Sequence, residues 1–308
     1  MMSKRAVIID TDPGIDDAVA LAIALYSEAL DVRLLTTVAG NVSCDKVTNN
    51  LLKLLAFFKK EIPVAKGAAR PLLREAIDAS DVHGLSGMEG YDFPEASNHL
   101  LLEEHAVEAM YRVIMEATSK ITLVGIGPLT NFALLLRIHP EVAEKIDEIV
   151  IMGGAIAGGN KGVTSEFNIA VDPEAAKIVF ESGIKIAMAG LDVGLKALVF
   201  PEDSEKIKLM NPVGDMMYHL FKKYRGGSFA TGLKMYDSCA MAYLLKPEMF
   251  ELVDTYVAVE TTGALTSGTT LVDFKGYLGQ AANTKVCVDI DEAVFKSWFL
   301  AAIENCKE

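Results

Sequence analysis

Over the first two thirds of the chain, apolar residues follow two repeating patterns. Short, nearly continuous runs rich in β-branched residues occupy 6–9, 32–38, 121–125, 149–152 and 184–189, and such runs read as strands buried on both faces. Between them, 18–30, 46–59, 103–119, 129–138 and 173–181 carry apolar residues at helical spacing. This alternation predicts an α/β fold, a mostly parallel, doubly wound sheet with helices on both faces. Further along, 204–223 and 239–245 predict extra helices. The stretches 256–259, 269–274 and 286–290 predict a small C-terminal β element, and 292–305 a last helix. No linker composition or fixed-period repeat divides the sequence, so a single domain over 1–308 is expected. Two stretches, 67–100 and 153–168, have Gly, Pro, Asp and Ser without periodicity but keep large apolar residues. Such loops predict functional lids rather than disorder.

The pattern is interrupted by charge between the first strand and the first helix. The string DTDPGIDDAVAL (10–21) places Asp10, Asp12, Asp16 and Asp17 within eight positions. Asp12 precedes Pro13, and proline suits a first helical position. Asp12 therefore reads as a helix N-cap, with Asp16 and Asp17 near the positive helix end. Capping leaves Asp10 unexplained, because in an extended chain it shares a side with Asp12. Two like charges about 4 Å apart cost on the order of 4 kcal/mol at an effective dielectric near 20. A helix end offsets only about 0.3–1 kcal/mol per charge. A divalent cation is the simplest compensation, and oxygen-only donors favour Ca2+ or Mg2+ over zinc.

Position along the chain agrees. Rossmann-like sheets bind ligands outside the carboxyl ends of their strands. There the sequence gathers 10–17, TTVAGN with Asn41, LVGIGPLTN with Ile126 and Asn131, and VIMGGAIAGGN with Asn160.

Composition narrows the partners. A net charge of -13 and a pI near 4.9 repel phosphate backbones and anionic lipid, which argues against nucleic acid and membrane surfaces while favouring a cation. Hydrophobic residues make up 51%, so the chain can bury a large core. Cys44, Cys239, Cys287 and Cys306 form no C-x-x-C pair and read as free buried thiols of a reducing compartment. The apolar run after Lys4 and Arg5 stops at Asp10, too short for a signal-peptide core, so a cytoplasmic location is expected.

Taken together, DTDPGIDDAVAL, TTVAGN (36–41), VHGLSGMEGYDF (82–93), GIGPLTN (125–131), IVIMGGAIAGGN (149–160), SEFNIAVDPEAA (165–176), GLDV (190–193) and YDSCAMAY (236–243) resemble, in order, the motifs of the nucleoside hydrolases. This is the inosine–uridine-preferring N-ribohydrolase family, and the likeness is greatest to its nonspecific bacterial type (RihC). The resemblance covers nearly the whole chain. It implies Ca2+-dependent hydrolysis of ribonucleosides, purine and pyrimidine, by a homodimer or homotetramer. It further implies that Asp12 binds calcium and acts as general base, with Asp17, Asp237 and the carbonyl of Ile126 as further ligands. Asp16 and Asn41 would hold the ribose 2′-hydroxyl, Asn168 the 3′-hydroxyl, and Asn160 and Glu166 the 5′-hydroxyl. Met152 would line the ribose pocket, Phe167 would stack on the base, and Asp10 would support the site without ligating.

One position departs from the family pattern. Many members have a histidine immediately before the third aspartate ligand, and here Tyr236 stands there. Tyrosine donates a hydrogen bond but is a weaker acid than imidazolium. Tyr236 therefore either protonates the leaving base or merely packs against it. His83 and Tyr224 are the other candidates, although a lone loop histidine ordinarily reads as solvated, and Tyr224 also reads as base-lining. Taken alone, Asp237 reads as a cap of the helix after it, and Asp172-Pro173 as a plain cap and first-turn proline. Two alternatives stand against the hydrolase. One is a haloacid dehalogenase-type Mg2+ phosphohydrolase, whose first strand also ends in D-x-D. The other is a nucleoside-binding protein without turnover.

Overall fold

The computed structural model describes residues 4–307. Its strands are β1 Arg5–Thr11, β2 Leu30–Thr37, β3 Val64–Lys66, β4 Ile121–Gly125, β5 Ile146–Met152, β6 Ile186–Ala189, β7 Leu198–Val199, β8 Gly227–Ser228, β9 Gly232–Lys234, β10 Phe250–Val259, β11 Thr270–Asp273 and β12 Thr284–Ile290. Nine of them form one sheet in the order β11-β10-β12-β6-β5-β4-β1-β2-β3, and β7-β9-β8 form a separate ribbon. From β12 to β3 every pairing is parallel, whereas β10 runs antiparallel to both of its neighbours. The predicted α/β architecture and its C-terminal β element are both present, and the structure shows that element to be antiparallel at β10.

Both faces of the sheet are covered. Val7, Ile9, Leu35, Val124 and Val150 enter one apolar layer, while Ile8, Leu34, Leu123, Ile149 and Ile151 enter the other. Side chains alternate along a strand, so burial on two faces requires the unbroken apolar runs seen in the sequence. The helix Ile15–Tyr26 is buried from Ile15 to Ala24 and is correspondingly apolar on all sides beyond its first turn.

Strand order places the ligand crevice. β1 pairs with β2 on one side and β4 on the other, so the winding reverses between β1 and β4. At such a switch point the loops after the two strands diverge and leave a cleft. Asp12 follows β1 and Ile126 follows β4, with Asp10 in register between Thr36 and Gly125.

Several boundaries differ from expectation. The first helix ends at Tyr26, because Ser27–Glu28–Ala29 turns the chain and Leu30 already belongs to β2. The helix expected over 204–223 is two helices, Pro201–Lys208 and Pro212–Phe221. Pro212 cannot continue a helix, and the Asn211 side chain instead caps the new one through Gly214 N–H at 2.8 Å. Strands β3, β7, β8 and β9 were not anticipated, being too short to show a period. The stretch 67–100 contains a helical turn, Ser80–His83, and 153–168 ends in the short helix Phe167–Val171. Asp172 caps Pro173–Phe180 as expected, accepting from Ala175 N–H at 3.0 Å.

Candidate active site

Asp12 is not the N-cap of the first helix. That helix begins at Ile15, and the Asp17 carboxylate accepts from Gly14 N–H at 2.9 Å and Asp12 N–H at 3.3 Å. The Asp12 carboxylate turns instead toward the loop after β2, where Oδ2 accepts Asn41 N–H at 2.6 Å. Two glycines make room for it: a Cβ on Gly40 would lie 2.0 Å from Asp12 Oδ2, and one on Gly127 2.7 Å from Oδ1. Oδ1 itself is buried with no hydrogen-bond partner among the described residues. A buried carboxylate oxygen without a donor carries a large desolvation cost unless something neutralises it.

Asp16, Asp17 and Asp237 each offer a carboxylate oxygen within 4.8 Å of the others, and all three are buried. Asp237 comes from the helix Tyr236–Leu245, which packs against Ile15–Tyr26. It lies inside the first turn of that helix rather than capping it, because the helix starts at Tyr236, three residues before the 239–245 that its apolar pattern indicated. Burial raises the pKa of Asp10, Asp16 and Asp17 to about 6. It raises Asp12 and Asp237 well above the carboxylate range, and mutual repulsion adds to the effect. An ordered cluster of acids held this far from its ordinary ionisation is suited to a cation. The oxygen-only donor set and the orphaned Asp12 Oδ1 fit a hard divalent ion. Asp10 sits behind the cluster, where its Oδ1 accepts from the Thr36 hydroxyl and from Asn131 Nδ2, the latter at 2.8 Å.

The amides beside the cluster are oriented by fixed acceptors. Asn41 Nδ2 donates to Asp12 O at 3.0 Å and Asp17 Oδ2 at 3.1 Å. Asn168 Nδ2 donates to Met152 O at 3.0 Å and Ile126 O at 3.3 Å. Each amide nitrogen is therefore committed to the protein, which leaves the amide oxygen as the group without a bond to it. Glu166 and Asn168 lie at the start of the short helix Phe167–Val171 rather than in an extended segment. Glu166 caps that helix, accepting from Asn168 N–H at 2.9 Å, Ile169 N–H at 3.1 Å and Gly154 N–H at 3.0 Å. Burial still lifts its pKa to about 7 against those bonds. Asn160 Oδ1 accepts Phe167 N–H at 2.8 Å.

Asp16, Asn41, Ile126, Met152, Asn160, Glu166, Phe167, Asn168 and Asp237 line one cavity of about 270 Å³, together with His83, Tyr224 and Tyr236. Its size is near the lower end for small-molecule sites, about 300–1,000 Å³. Asp12 and Asp17 are buried and do not line it, but both are hydrogen-bonded to Asn41, which does. His83 is buried, against the expectation of a solvated loop histidine. Its Nδ1 accepts Ile15 N–H at 3.1 Å, so the neutral ring carries its proton on Nε2, and burial lowers its pKa to about 4. The ring lies 5.5 Å from that of Tyr224, whose hydroxyl donates to Asp16 Oδ2 at 3.1 Å. Tyr236 is half-buried, and desolvation pushes its phenol above the ordinary range, so it stays protonated. Sequence reasoning missed the pocket residues Lys161, Arg225 and Lys234. They stand singly in loops or a short strand, and no pattern distinguishes them from surface cations.

The fold and cavity together define an α/β protein with a small-molecule-sized pocket beside a buried acidic cluster suited to a metal ion. The sequence profile of the inosine-uridine preferring nucleoside hydrolases matches residues 7–297, and the chain belongs to that family. It is 51% identical over 298 residues to the non-specific ribonucleoside hydrolase RihC of Salmonella paratyphi B, covering 97% of each chain. Among solved structures, the purine-preferring ribonucleoside hydrolase from Gardnerella vaginalis superposes with a TM-score of 0.91 at 27% identity, covering 98% of this chain and 99% of that one. A plant nucleoside hydrolase superposes at 0.89 with 32% identity, covering 98% and 99%. Family membership sets aside the phosphohydrolase alternative.

Proposed function

We propose that this protein is a Ca2+-dependent ribonucleoside hydrolase that cleaves the N-glycosidic bond of purine and pyrimidine ribonucleosides to ribose and free base in nucleoside salvage. The observation that carries the reading is the chemistry of the floor. The Asp16 and Glu166 carboxylates and the fixed carbonyl oxygens of Asn41 and Asn168 are all acceptors converging on one cavity. Such a set suits the hydroxyls of a ribose and repels a phosphate. Asp16 and Asn41 take the 2′-hydroxyl, Asn168 the 3′-hydroxyl, and Glu166 with Asn160 the 5′-hydroxyl, beside Met152.

Asp12, Asp17, Asp237 and the Ile126 carbonyl would hold the ion, with Asp16 close enough to share it. When bound, calcium would keep these carboxylates ionised and make nearby water more acidic. Asp12 takes the proton of the attacking water. The water oxygen bonds to C1′ as the C1′–N bond breaks, and the bonding pair leaves with the base. Positive charge growing on the sugar ring is stabilised by the carboxylates around it. Asp10 fixes the turn from behind. Tyr236, and His83 through Nε2–H, are the donors offered to the leaving base, between Phe167 and Tyr224.

We further propose that residues 1–308 act as one domain, in the cytoplasm, as a homodimer or homotetramer. The four cysteines are buried free thiols, which suits a reducing compartment. Among the described residues no helix is long and apolar enough to cross a membrane. Exposed Leu265, Leu271, Phe274, Tyr277 and Leu278 offer an apolar surface for self-association.

The test is reducing-sugar release from inosine and uridine before and after chelation. Ribose production that stops on chelation and returns with Ca2+ is the expected outcome. Tight nucleoside binding without ribose release would replace the enzyme with a binding protein.

A further inference from the structure

Three residues with cationic side chains line the cavity above the acidic floor: Lys161, Arg225 and Lys234. Two are engaged by the protein. Lys161 Nζ donates to Asp78 O at 2.9 Å, and Arg225 Nη1 to Asp81 O at 3.2 Å. Lys234 differs. Its backbone is pinned in the β7-β9-β8 ribbon opposite Leu198, and its carbonyl lies 3.1 Å from the Tyr224 hydroxyl. The same hydroxyl reaches Asp16, so Lys234 is tied to the sugar floor through one side chain. The Lys234 ammonium has no hydrogen-bond or ion-pair partner among the described residues, although the residue is half-buried in the pocket wall. A ligand that desolvates this ammonium must supply an acceptor in place of water.

This inference rests on the hydrolase reading. With ribose on the floor, the wall above it faces the base. We propose that Lys234 is a specificity-determining residue favouring nucleosides whose base carries ring carbonyl oxygens, the oxopurine and uracil class, over aminopurine nucleosides. As the C1′–N bond breaks, its electron pair stays on the base nitrogen and spreads onto those oxygens. The attacking water bonds to C1′ and gives its proton to Asp12, and the departing base takes its proton from the wall donors, Tyr236 or His83, or from solvent. A cation at the wall binds the carbonyl in the ground state and more strongly as negative charge develops. Adenine presents an amino donor at the equivalent ring position, which the ammonium cannot use.

The experiment measures kcat/KM for xanthosine, inosine, uridine and adenosine on the Ca2+-loaded full-length protein, with Lys234→Gln, Lys234→Met and Lys234→Arg. Substrate ratios within one preparation cancel any loss of folded protein. The xanthosine-to-adenosine and uridine-to-adenosine ratios should fall about ten-fold in the Gln and Met variants, as for loss of one charge-assisted contact, and recover in the Arg variant. Unchanged ratios would overturn the role of Lys234. Absence of ribose release from every nucleoside by the wild-type protein would overturn the hydrolase reading instead.

Discussion

The floor and the walls of the pocket are built by different means. The floor stands on strand ends: β1 supplies Asp10 and leads into Asp12, β2 leads to Asn41, and β4 to Ile126. The amide N–H groups there are committed to the protein, acceptor oxygens are left over, and Asp12 Oδ1 is buried without a donor at the place where a cation fits. The walls come from the turn Ser80–His83 and from 224–236, and hold tyrosines, a neutral histidine and cations facing solvent. A sheet edge fixes atoms to the tolerance that bond breaking needs. Loops can change without disturbing it, which suits the part that chooses the base. The contrast predicts that floor substitutions act on every substrate alike, whereas wall substitutions act selectively.

The largest expected effect tests the floor. Asp12→Asn should lower turnover of all nucleosides by about 10²–10⁴-fold, the range for a general base, with circular dichroism unchanged. Near-wild-type ribose release would remove Asp12 from the chemistry and dissolve the contrast.

A second effect is thermodynamic. Asp10, Asp16 and Asp17 have folded pKa values near 6 against an ordinary 3.8. The folded metal-free protein therefore binds protons more tightly than the unfolded chain. Its stability is greatest below about pH 4 from this source and declines as pH rises through about 6. Melting temperatures of chelated protein should fall over that interval. Ca2+ should reverse the trend at neutral pH, contributing about 2.7 kcal/mol at a hundredfold excess over its dissociation constant. A calcium-independent melting temperature at pH 7 would mean that the floor does not hold the ion.

The smallest effect sharpens the contrast at the walls. Tyr236→Phe should slow inosine about ten-fold, as for loss of one hydrogen bond in the transition state. It should scarcely affect p-nitrophenyl riboside, whose leaving group requires no donor. Equal slowing of both would make Tyr236 a packing residue.

The same division governs what could be read from the sequence. The strands carrying the floor are buried on both faces and show as apolar runs, and four aspartates in eight positions stand out against them. Asp237 could be joined to them only through the family resemblance, because helix packing brings it there. Asp12 misled because the proline rule for helix starts is local, whereas the bond that turns its carboxylate away comes from Asn41. His83 misled because its burial depends on Ile15 N–H, which sequence spacing cannot reveal. The break at Asn211-Pro212 was legible and its signal is ordinary proline chemistry. Lys234 had none, since its two-sided confinement exists only once the ribbon and the Tyr224 hydroxyl are in place.

The orientation of two buried amides sets a limit on what sugars can enter. Asn41 and Asn168 have their N–H groups committed to the protein, so neither can rotate to donate instead. A 2′-deoxyribose would leave the Asn41 oxygen and the Asp16 carboxylate dehydrated with nothing to satisfy them. Sites that bury groups intended for a missing hydroxyl discriminate by about 10⁴–10⁵. With the ribose contacts proposed above, the frozen amides would act as a filter that spares the building blocks of DNA while admitting those of RNA.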